Sequence, residues 1–270
     1  MSVVLHLSDT HFGTERPAVV EALVALAARQ RPDLVILSGD ITQRARPRQF
    51  RAARAFVDRL GAPVLAIPGN HDIALFDLWA RLTRPYARFT ETFGSELEPV
   101  HVSPDLLVIG VNTTRARRHR HGEVSRSQME QVARRLATAG ERQLRVVVVH
   151  HPLAVPEAGD RANRLRGHEA AARVWAAAGA DLVLGGHIHL PFVMPVQGLA
   201  RPLWVVQAGT AVSTRTRPGV PNSVNLLRWG EAAAEDPARA DGRPGCRIER
   251  WDYCDQEQAF RPAWDTVIRP

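Results

Sequence analysis

Short apolar runs alternate with amphipathic segments through the first two thirds of the chain. The apolar runs, which predict buried strands, lie at 3–8, 34–37, 63–67, 106–111, 146–149 and 181–184. A further short strand is expected at His101 and Val102. Apolar residues at helical spacing predict helices at 17–30, 47–60, 75–93 with a break at Pro85, 125–139 and 168–178. Because strands and helices alternate, the pattern predicts β-α-β units and a largely parallel sheet.

The last third of the chain changes character and predicts antiparallel strands at 203–207, 223–229 and 246–251. Residues 231–245 are rich in Ala, Asp, Pro and Gly and are expected to form a mobile loop. Together the two parts predict an α/β fold, a four-layer αββα sandwich of two mixed sheets with flanking helices. We expect one domain over residues 1–270. The tail at 253–270 has no clear period, and its Trp264 is expected to pack on the body or on a second subunit, which leaves a homodimer open.

The composition is that of a globular protein with a basic surface. The chain has 270 residues and a net charge of +7, and all 35 basic residues are Arg, with a dense run at Arg115–His121. A basic protein suits anionic partners such as phosphate esters. Nucleic acid stays open as a partner, but a solvated basic surface is the favoured explanation of the excess charge.

Two further features bound the cellular setting. No apolar run approaches the length of a membrane span, so no membrane partner and a cytoplasmic location are expected. Cys246 and Cys254 do not have the spacing of a metal site, and we expect both to be reduced structural thiols.

Polar blocks follow five of the predicted strands. They are Asp9-Thr10-His11, Ser38-Gly39-Asp40, Pro68-Gly69-Asn70-His71-Asp72, His150-His151-Pro152 and Gly185-Gly186-His187-Ile188-His189. Residues i and i+2 of an extended chain point the same way, so Asp9 and His11 are expected to aim at one spot. Ligands of α/β sheets bind beyond the carboxyl ends of the strands. Carboxylate, amide and imidazole groups hold metals or phosphate, whereas Asn or Asp could also merely cap a helix.

The five blocks, taken in order, resemble those of the calcineurin-like metallophosphoesterase superfamily. They extend from Asp9 to His189, about two thirds of the chain. Beyond them, Gln207-Ala208-Gly209-Thr210 and Pro221-Asn222-Ser223 look like the branch that contains class III cyclic-nucleotide phosphodiesterases. The resemblance implies a metal-dependent enzyme that hydrolyses a phosphodiester bond, with a cyclic nucleotide or another small phosphodiester as substrate.

The resemblance also implies two metal ions and their ligands. One ion would be held by Asp9, His11, Asp40 and His189, and the other by Asp40, Asn70, His150 and His187. Oxygen and imidazole ligands without thiolate suit Mn, Fe or Zn in such a site. In the family a hydroxide that bridges the two ions attacks phosphorus in line with the leaving alkoxide.

Two neighbouring residues are the expected catalytic groups. His71 would contact the phosphate or protonate the leaving oxygen. Asp72 would orient His71 or another group behind the ligands, while a plain helix N-cap is an equal alternative for Asp72. Of the pair His150 and His151, the family uses the first as ligand.

The remaining polar candidates have simpler explanations. His6, His101 and His168 are expected to be core or capping residues. His119 and His121 lie in the Arg-rich loop Arg115–His121, which we expect to border the substrate cleft, although a solvated loop is the more ordinary outcome. Asn112 follows a strand and is a weaker candidate for lining the site.

Other functions stay open at this stage. The same chemistry serves phosphomonoesterases, nucleotide-sugar pyrophosphatases and nucleases of the superfamily. A protein of another class, a metal-free binding scaffold such as a subunit of the retromer coat, also has this fold. All seven coordinating residues are present in this chain, which argues against the scaffold.

Overall fold

The computed structural model describes residues 1–74, 78–118, 120–230 and 244–269. Its helices are α1 (Pro17–Gln30), α2 (Pro47–Asp58), α3 (Leu78–Thr83), α4 (Ala87–Phe93), α5 (Arg126–Leu136) and α6 (His168–Ala177). Pro85 separates α3 from α4, as expected for a residue that breaks a helix. Ser125 caps α5, because its side chain accepts a hydrogen bond from the amide of Gln128.

The strands are β1 (Ser2–Leu7), β2 (Leu34–Leu37), β3 (Val64–Ala66), β4 (Val100–Val102), β5 (Leu106–Gly110), β6 (Leu144–Val148), β7 (Leu182–Gly185), β8 (Phe192–Pro195), β9 (Trp204–Gln207), β10 (Ser223–Trp229), β11 (Cys246–Cys254) and β12 (Ala259–Ile268). One sheet has the order β12-β11-β10-β1-β2-β3, and the other has the order β4-β5-β6-β7-β9-β8. Both sheets are mixed: β1, β2 and β3 run parallel, whereas β10, β11 and β12 join them antiparallel. The predicted fold class is therefore confirmed.

Alternating side chains of the strands build three apolar layers. On β1, Leu5 and Leu7 pack against α1 and α2, whereas Val4 faces the second sheet. On β5, Val108 faces the first sheet and Ile109 packs toward α5 and α6. Because successive side chains of a strand point to opposite faces and each sheet is covered on both faces, there are three apolar layers: one between the sheets and one between each sheet and its helices.

Two strands were not predicted from the sequence. β8 is short and ends in Pro195, and β12 carries Pro262 and several exposed side chains. Both are edge strands, so a missing amide at a proline breaks no ladder on the open side. The tail thus continues the first sheet: Pro262 pairs with Trp251 next to an irregularity in the β11–β12 register.

Two predictions fall partly outside the described residues. They are the loop predicted at 231–245, of which residues 231–243 are not described, and the candidate His119. Within the described parts of the chain, none of the helices has both the length and the apolar character needed to cross a membrane.

Candidate metal centre

The polar blocks meet where strands of the two sheets end. Asp9 and His11 follow β1, Asp40 follows β2, and the 3-10 turn Asn70–Asp72 follows β3. His150 follows β6 of the second sheet, and the block that ends at His189 follows β7. The structure brings the seven expected ligands together at this edge, since contacts such as those between Asp40 and His150 cross from one sheet to the other.

The first group of converging atoms belongs to Asp9, His11 and His189. Oδ1 of Asp9 lies 3.2 Å from Nε2 of His189 and 3.7 Å from Nε2 of His11. The two imidazole Nε2 atoms are 3.3 Å apart. Oδ2 of Asp40 approaches the same group, 3.9 Å from Nε2 of His11.

The second group forms around the other oxygen of Asp40. Nε2 of His150 lies 3.4 Å from Oδ1 of Asp40 and 3.2 Å from Oδ1 of Asn70. The ring of His187 packs edge-on against that of His150, with the two ring centroids 5.1 Å apart. Asp40 therefore touches both groups, one with each carboxylate oxygen.

These separations fit the coordination of metal ions. Ligand atoms about 2.1 Å from one ion lie about 3.0–3.4 Å apart at octahedral or tetrahedral angles. The Asp9–His189 and Asn70–His150 distances fall in this range. Among the described residues Oδ1 of Asp9 is buried without a hydrogen-bond partner, which is costly unless another group satisfies it. The donor set is thus suited to cations at both groups.

The backbone at the site is strained. Five of the expected ligands have positive φ: Asp9 (52°), His11 (42°), Asp40 (49°), His187 (75°) and His189 (57°). Such conformations cost about 1–3 kcal/mol each in non-glycine residues and concentrate at functional sites. Close approach of the turns also requires glycine, because a Cβ on Gly69 would lie 2.0 Å from the amide nitrogen of Asp40.

Burial and the two carboxylates set the ionisation of the site. Burial tends to raise the pKa of Asp9 and Asp40, but the neighbouring imidazoles hold the pKa of both below the usual range. Burial lowers the pKa of His11 and His187 to about 3. For His150 burial acts in the same direction, yet the charge of Asp40 raises its pKa to about 9. The two carboxylates are therefore ionised and can bind a cation. Protons on the imidazoles compete with metal ions for the same ligand atoms.

Main-chain carbonyls orient the imidazoles. Nδ1 of His150 lies 2.8 Å from the carbonyl of Ser38, and Nδ1 of His189 contacts the carbonyl of Arg215. A carbonyl accepts a hydrogen bond only from a protonated ring nitrogen, so Nε2 is left as the donor atom for a cation.

His71 and Asp72 have different surroundings. Nδ1 of His71 lies 2.8 Å from the carbonyl of Gln43, and its ring packs edge-on against His11. The carboxylate of Asp72 instead accepts hydrogen bonds from the amides of Ile41, Thr42 and Gly69 and from the Thr42 hydroxyl. Asp72 thus ties the turn of Asp40 to the turn of Asn70. Burial, followed by the charge of Asp40, raises the pKa of Asp72 to about 6.

His151 lies closer to the site than the sequence suggested. Its ligand atom lies within 4.8 Å of those of His150 and His187, and its Nε2 is buried with no hydrogen-bond partner in the part of the chain that the structure describes. Its Nδ1 lies 2.8 Å from the hydroxyl of Thr113, which joins the ring to the start of the Arg-rich loop. The sequence alone could not show this position of His151, because neither the alternation of the strand nor the residue type distinguishes His151 from His150.

A cleft of about 510 Å³ opens over the two groups. Asn70, His71 and His189 line it, and so do residues that the sequence did not single out: Arg215, Arg217, Asp160 and Asn163. From the loop Arg115–His121, Arg120 lines this cleft. Arg115 faces elsewhere, since its guanidinium donates to the carbonyls of Asn112 and Thr114 and to Gln128.

The other candidates have structural partners. Nε2 of His6 lies 2.9 Å from the hydroxyl of Ser38, and His168 contacts the carbonyl of Leu165 at the start of α6. The side-chain oxygen of Asn112 accepts hydrogen bonds from the amide and hydroxyl of Thr114, so it shapes the turn after β5.

Facing mixed sheets with histidines and carboxylates at their carboxyl edges define the metallophosphatase class of α/β proteins. A dimetal phosphatase from Danio rerio has the same fold, with a TM-score of 0.66 at 14% identity over 99% of this chain and 98% of that protein. The family model for calcineurin-like phosphoesterases matches residues 2–191, and the chain belongs to that family. The resemblance seen in the sequence is therefore confirmed.

Two curated relatives are similar over part of their length. A cAMP/cGMP dual specificity phosphodiesterase of Mycobacterium tuberculosis is 30% identical over 204 residues, which cover 69% of this chain and 61% of that protein. The 3',5'-cyclic adenosine monophosphate phosphodiesterase CpdA of Escherichia coli is 27% identical over 176 residues, 56% of this chain and 55% of that protein. The chain thus spans less than two thirds of these relatives.

Proposed function

We propose that this protein hydrolyses phosphodiester bonds with the help of two metal ions held at the edge of the sandwich. The ligands are Asp9, His11, Asp40 and His189 for one ion and Asp40, Asn70, His150 and His187 for the other. The observation that carries the proposal is the convergence of these atoms into two groups that share Asp40, with contacts of 3.2–3.9 Å. Mn, Fe or Zn suits this set of oxygen and imidazole donors.

When bound, two such ions polarise the phosphate and supply a nucleophile at neutral pH. The residues of the chain then provide the positions and the proton transfer. In the imidazolium form His71 carries a proton on each ring nitrogen; Nδ1 donates its proton to the carbonyl of Gln43 in a hydrogen bond, and the proton on Nε2 is the one given to the leaving oxygen. His71 lines the cleft, as a proton donor to substrate must.

Asp72 acts as a positioning residue in this proposal. It fixes the amides of Ile41 and Thr42, which directly follow Asp40, and the amide of Gly69, which precedes Asn70. Because these ligands belong to different strands, a buried carboxylate that binds both turns keeps their spacing.

The substrate in this proposal is a small phosphodiester, with a cyclic nucleotide as the leading candidate. Support comes from the two relatives named as cyclic-nucleotide phosphodiesterases. The polar cleft over the site is roomy enough for a nucleotide, within the usual range of ligand pockets of about 300–1,000 Å³.

The test is a metal-reconstitution assay. Protein stripped with chelator should be inactive and should regain hydrolysis of bis(p-nitrophenyl) phosphate and of adenosine 3',5'-cyclic monophosphate when Mn is added. Asp58→Asn is the matched control, because Asp58 is exposed. This variant should regain activity with Mn as the parent does, whereas Asp40→Asn should not. If p-nitrophenyl phosphate were hydrolysed faster than either diester, the protein would be a phosphomonoesterase and the proposed phosphodiesterase activity would be wrong. Activity that survives chelation would refute the metal requirement.

A further inference from the structure

We propose that the cleft contains a second anion-binding subsite, formed by the guanidinium groups of Arg215 and Arg120, which selects phosphodiesters that carry a second phosphate group. The inference rests on the proposed function, since it names the substrate class of the same site. Both arginines line the cleft together with Asn70 and His71.

Arg215 is built into the supports of the site. Its backbone carbonyl accepts a hydrogen bond from Nδ1 of His189, and its guanidinium donates to Oε1 of Gln43 at 3.0 Å. The carbonyl of that same Gln43 lies 2.8 Å from Nδ1 of His71. Arg215 therefore lies between the support of an expected metal ligand and that of the proposed proton donor, and it is one of the residues that line the cleft.

The charge of Arg215 is not neutralised by its partner. Gln43 is an uncharged amide, and among the described residues Arg215 forms no ion pair. Arg217, two residues on, is the internal comparison, because its guanidinium contacts Asp160 at 2.8 Å and Glu157 at 2.6 Å. The charge of Arg217 is thus balanced by two carboxylates of the segment that follows β6. The charge of Arg215 has no such partner among the described residues.

Arg120 adds a second positive charge from the Arg-rich loop. Within that loop Arg115 is turned inward to Gln128, and Arg118 pairs with Glu123 at 2.6 Å. Arg120 instead is exposed and lines the cleft. The loop therefore contributes Arg120 to the lining of the cleft and uses the guanidinium groups of Arg115 and Arg118 for its own structure.

The charge of the cleft exceeds what one phosphodiester needs. The scissile group of a phosphodiester carries a single negative charge, which the two metal ions of the proposed function would balance. A further phosphate monoester adds about −1.5 to −2 charges at neutral pH. A guanidinium presents a planar fork of donors that matches phosphate oxygens. Among the described residues neither Arg215 nor Arg120 forms an ion pair, so the two guanidinium groups suit a phosphodiester whose alcohol portion carries a second phosphate.

The test uses two chromogenic esters with the same leaving group. Thymidine 5'-(p-nitrophenyl phosphate) and its 3'-phosphorylated form differ only by the second phosphate. With Mn, kcat/KM should be about tenfold or more higher for the 3'-phosphorylated ester, the size of one charge-assisted hydrogen bond. Arg215→Gln and Arg120→Gln should each remove most of this preference. Arg117→Gln, an exposed residue of the same loop outside the cleft lining, should preserve it.

A second measurement does not depend on activity. In calorimetry with metal-stripped protein, thymidine 3',5'-bisphosphate should bind more tightly than thymidine 5'-monophosphate, and Arg215→Gln should weaken the bisphosphate about tenfold or more. The contact between His189 and residue 215 survives this substitution because it uses the backbone carbonyl.

The outcomes separate the two proposals. If neither ester is hydrolysed while the bisphosphate preference persists, the proposed function fails and the subsite stands. Equal losses on both esters in Arg215→Gln would assign this arginine to the scissile phosphate and overturn the subsite. Equal binding of bisphosphate and monophosphate to the metal-stripped protein would overturn it as well.

Discussion

Replacing Asp72 by Asn tests whether this carboxylate is the clamp between two ligand turns. One carboxylate oxygen accepts from the amide and hydroxyl of Thr42, both at 2.8 Å. The other accepts from the amides of Ile41 at 3.1 Å and Gly69 at 2.9 Å. An Asn side chain has one acceptor oxygen and one donor NH₂, so it cannot serve all four donors.

The cost follows from the better of the two amide orientations. With the NH₂ group toward Ile41 and Gly69, two buried amides lose their acceptor. With the NH₂ group toward Thr42, the Thr42 hydroxyl can rotate and accept a hydrogen bond from it, and only the Thr42 amide loses its acceptor. Because an unsatisfied buried donor costs about 1–3 kcal/mol, Asp72→Asn should lower the unfolding free energy by about 1–3 kcal/mol. Asp72→Ala leaves three amides without acceptors, about 3–9 kcal/mol on the same scale.

Urea denaturation of the metal-free protein, followed by circular dichroism, measures this difference. Asp58→Asn is the control, since Asp58 is exposed and pairs with Arg54 on one face of α2. Such a surface pair contributes only about 0–1 kcal/mol. If Asp72→Asn were as stable as the control variant, the hydrogen bonds would not be the clamp, and the account of the two turns would be wrong.

Three further outcomes are expected. Asp40→Asn should reduce the bound metal and remove most activity while the circular dichroism spectrum is kept, because one oxygen of Asp40 faces each ligand group; full metal content by elemental analysis would contradict this. His71→Ala should lower turnover by about two orders of magnitude, and less for nitrophenyl esters, whose leaving group needs little help from an acid; an equal loss for alkyl and nitrophenyl esters would leave His71 as a phosphate binder. A native thiol assay should detect Cys254 but not Cys246, since Cys246 is fully buried and burial raises the pKa of its thiol; reaction of both thiols without denaturant would contradict the packing of β11.

The strands and helices that could be predicted are those with a strong local pattern. The runs at 34–37 and 146–149 are apolar on both faces because their strands lie inside the sandwich. β12 lacked such a signal, since an edge strand with exposed side chains has no continuous apolar face. Its pairing is set by the preceding β11, with which it forms an antiparallel hairpin, and its own residues carry no apolar alternation that marks it as a strand.

The candidate site divides in the same way. The residues that converge at the edge were predicted because each directly follows a strand and belongs to a block of a known family. Arg215 and Asp160 escaped prediction because they lie outside the blocks, Asp160 in the 3-10 helix Ala158–Asn163, and reach the cleft only through tertiary packing. The direction of Arg115 was equally hidden, because its partner Gln128 belongs to α5.

Backbone carbonyls orient three imidazoles of this site, so the side chains of the residues that supply these carbonyls need a separate explanation. The carbonyls of Ser38, Gln43 and Arg215 orient His150, His71 and His189 respectively. Any residue supplies a carbonyl, so these supports depend on the path of the turns and not on the side chains. The support of His189 therefore gives no reason for an arginine at 215. Under the proposed subsite, a negatively charged group of the substrate would account for this guanidinium, whose printed partner is the neutral amide of Gln43.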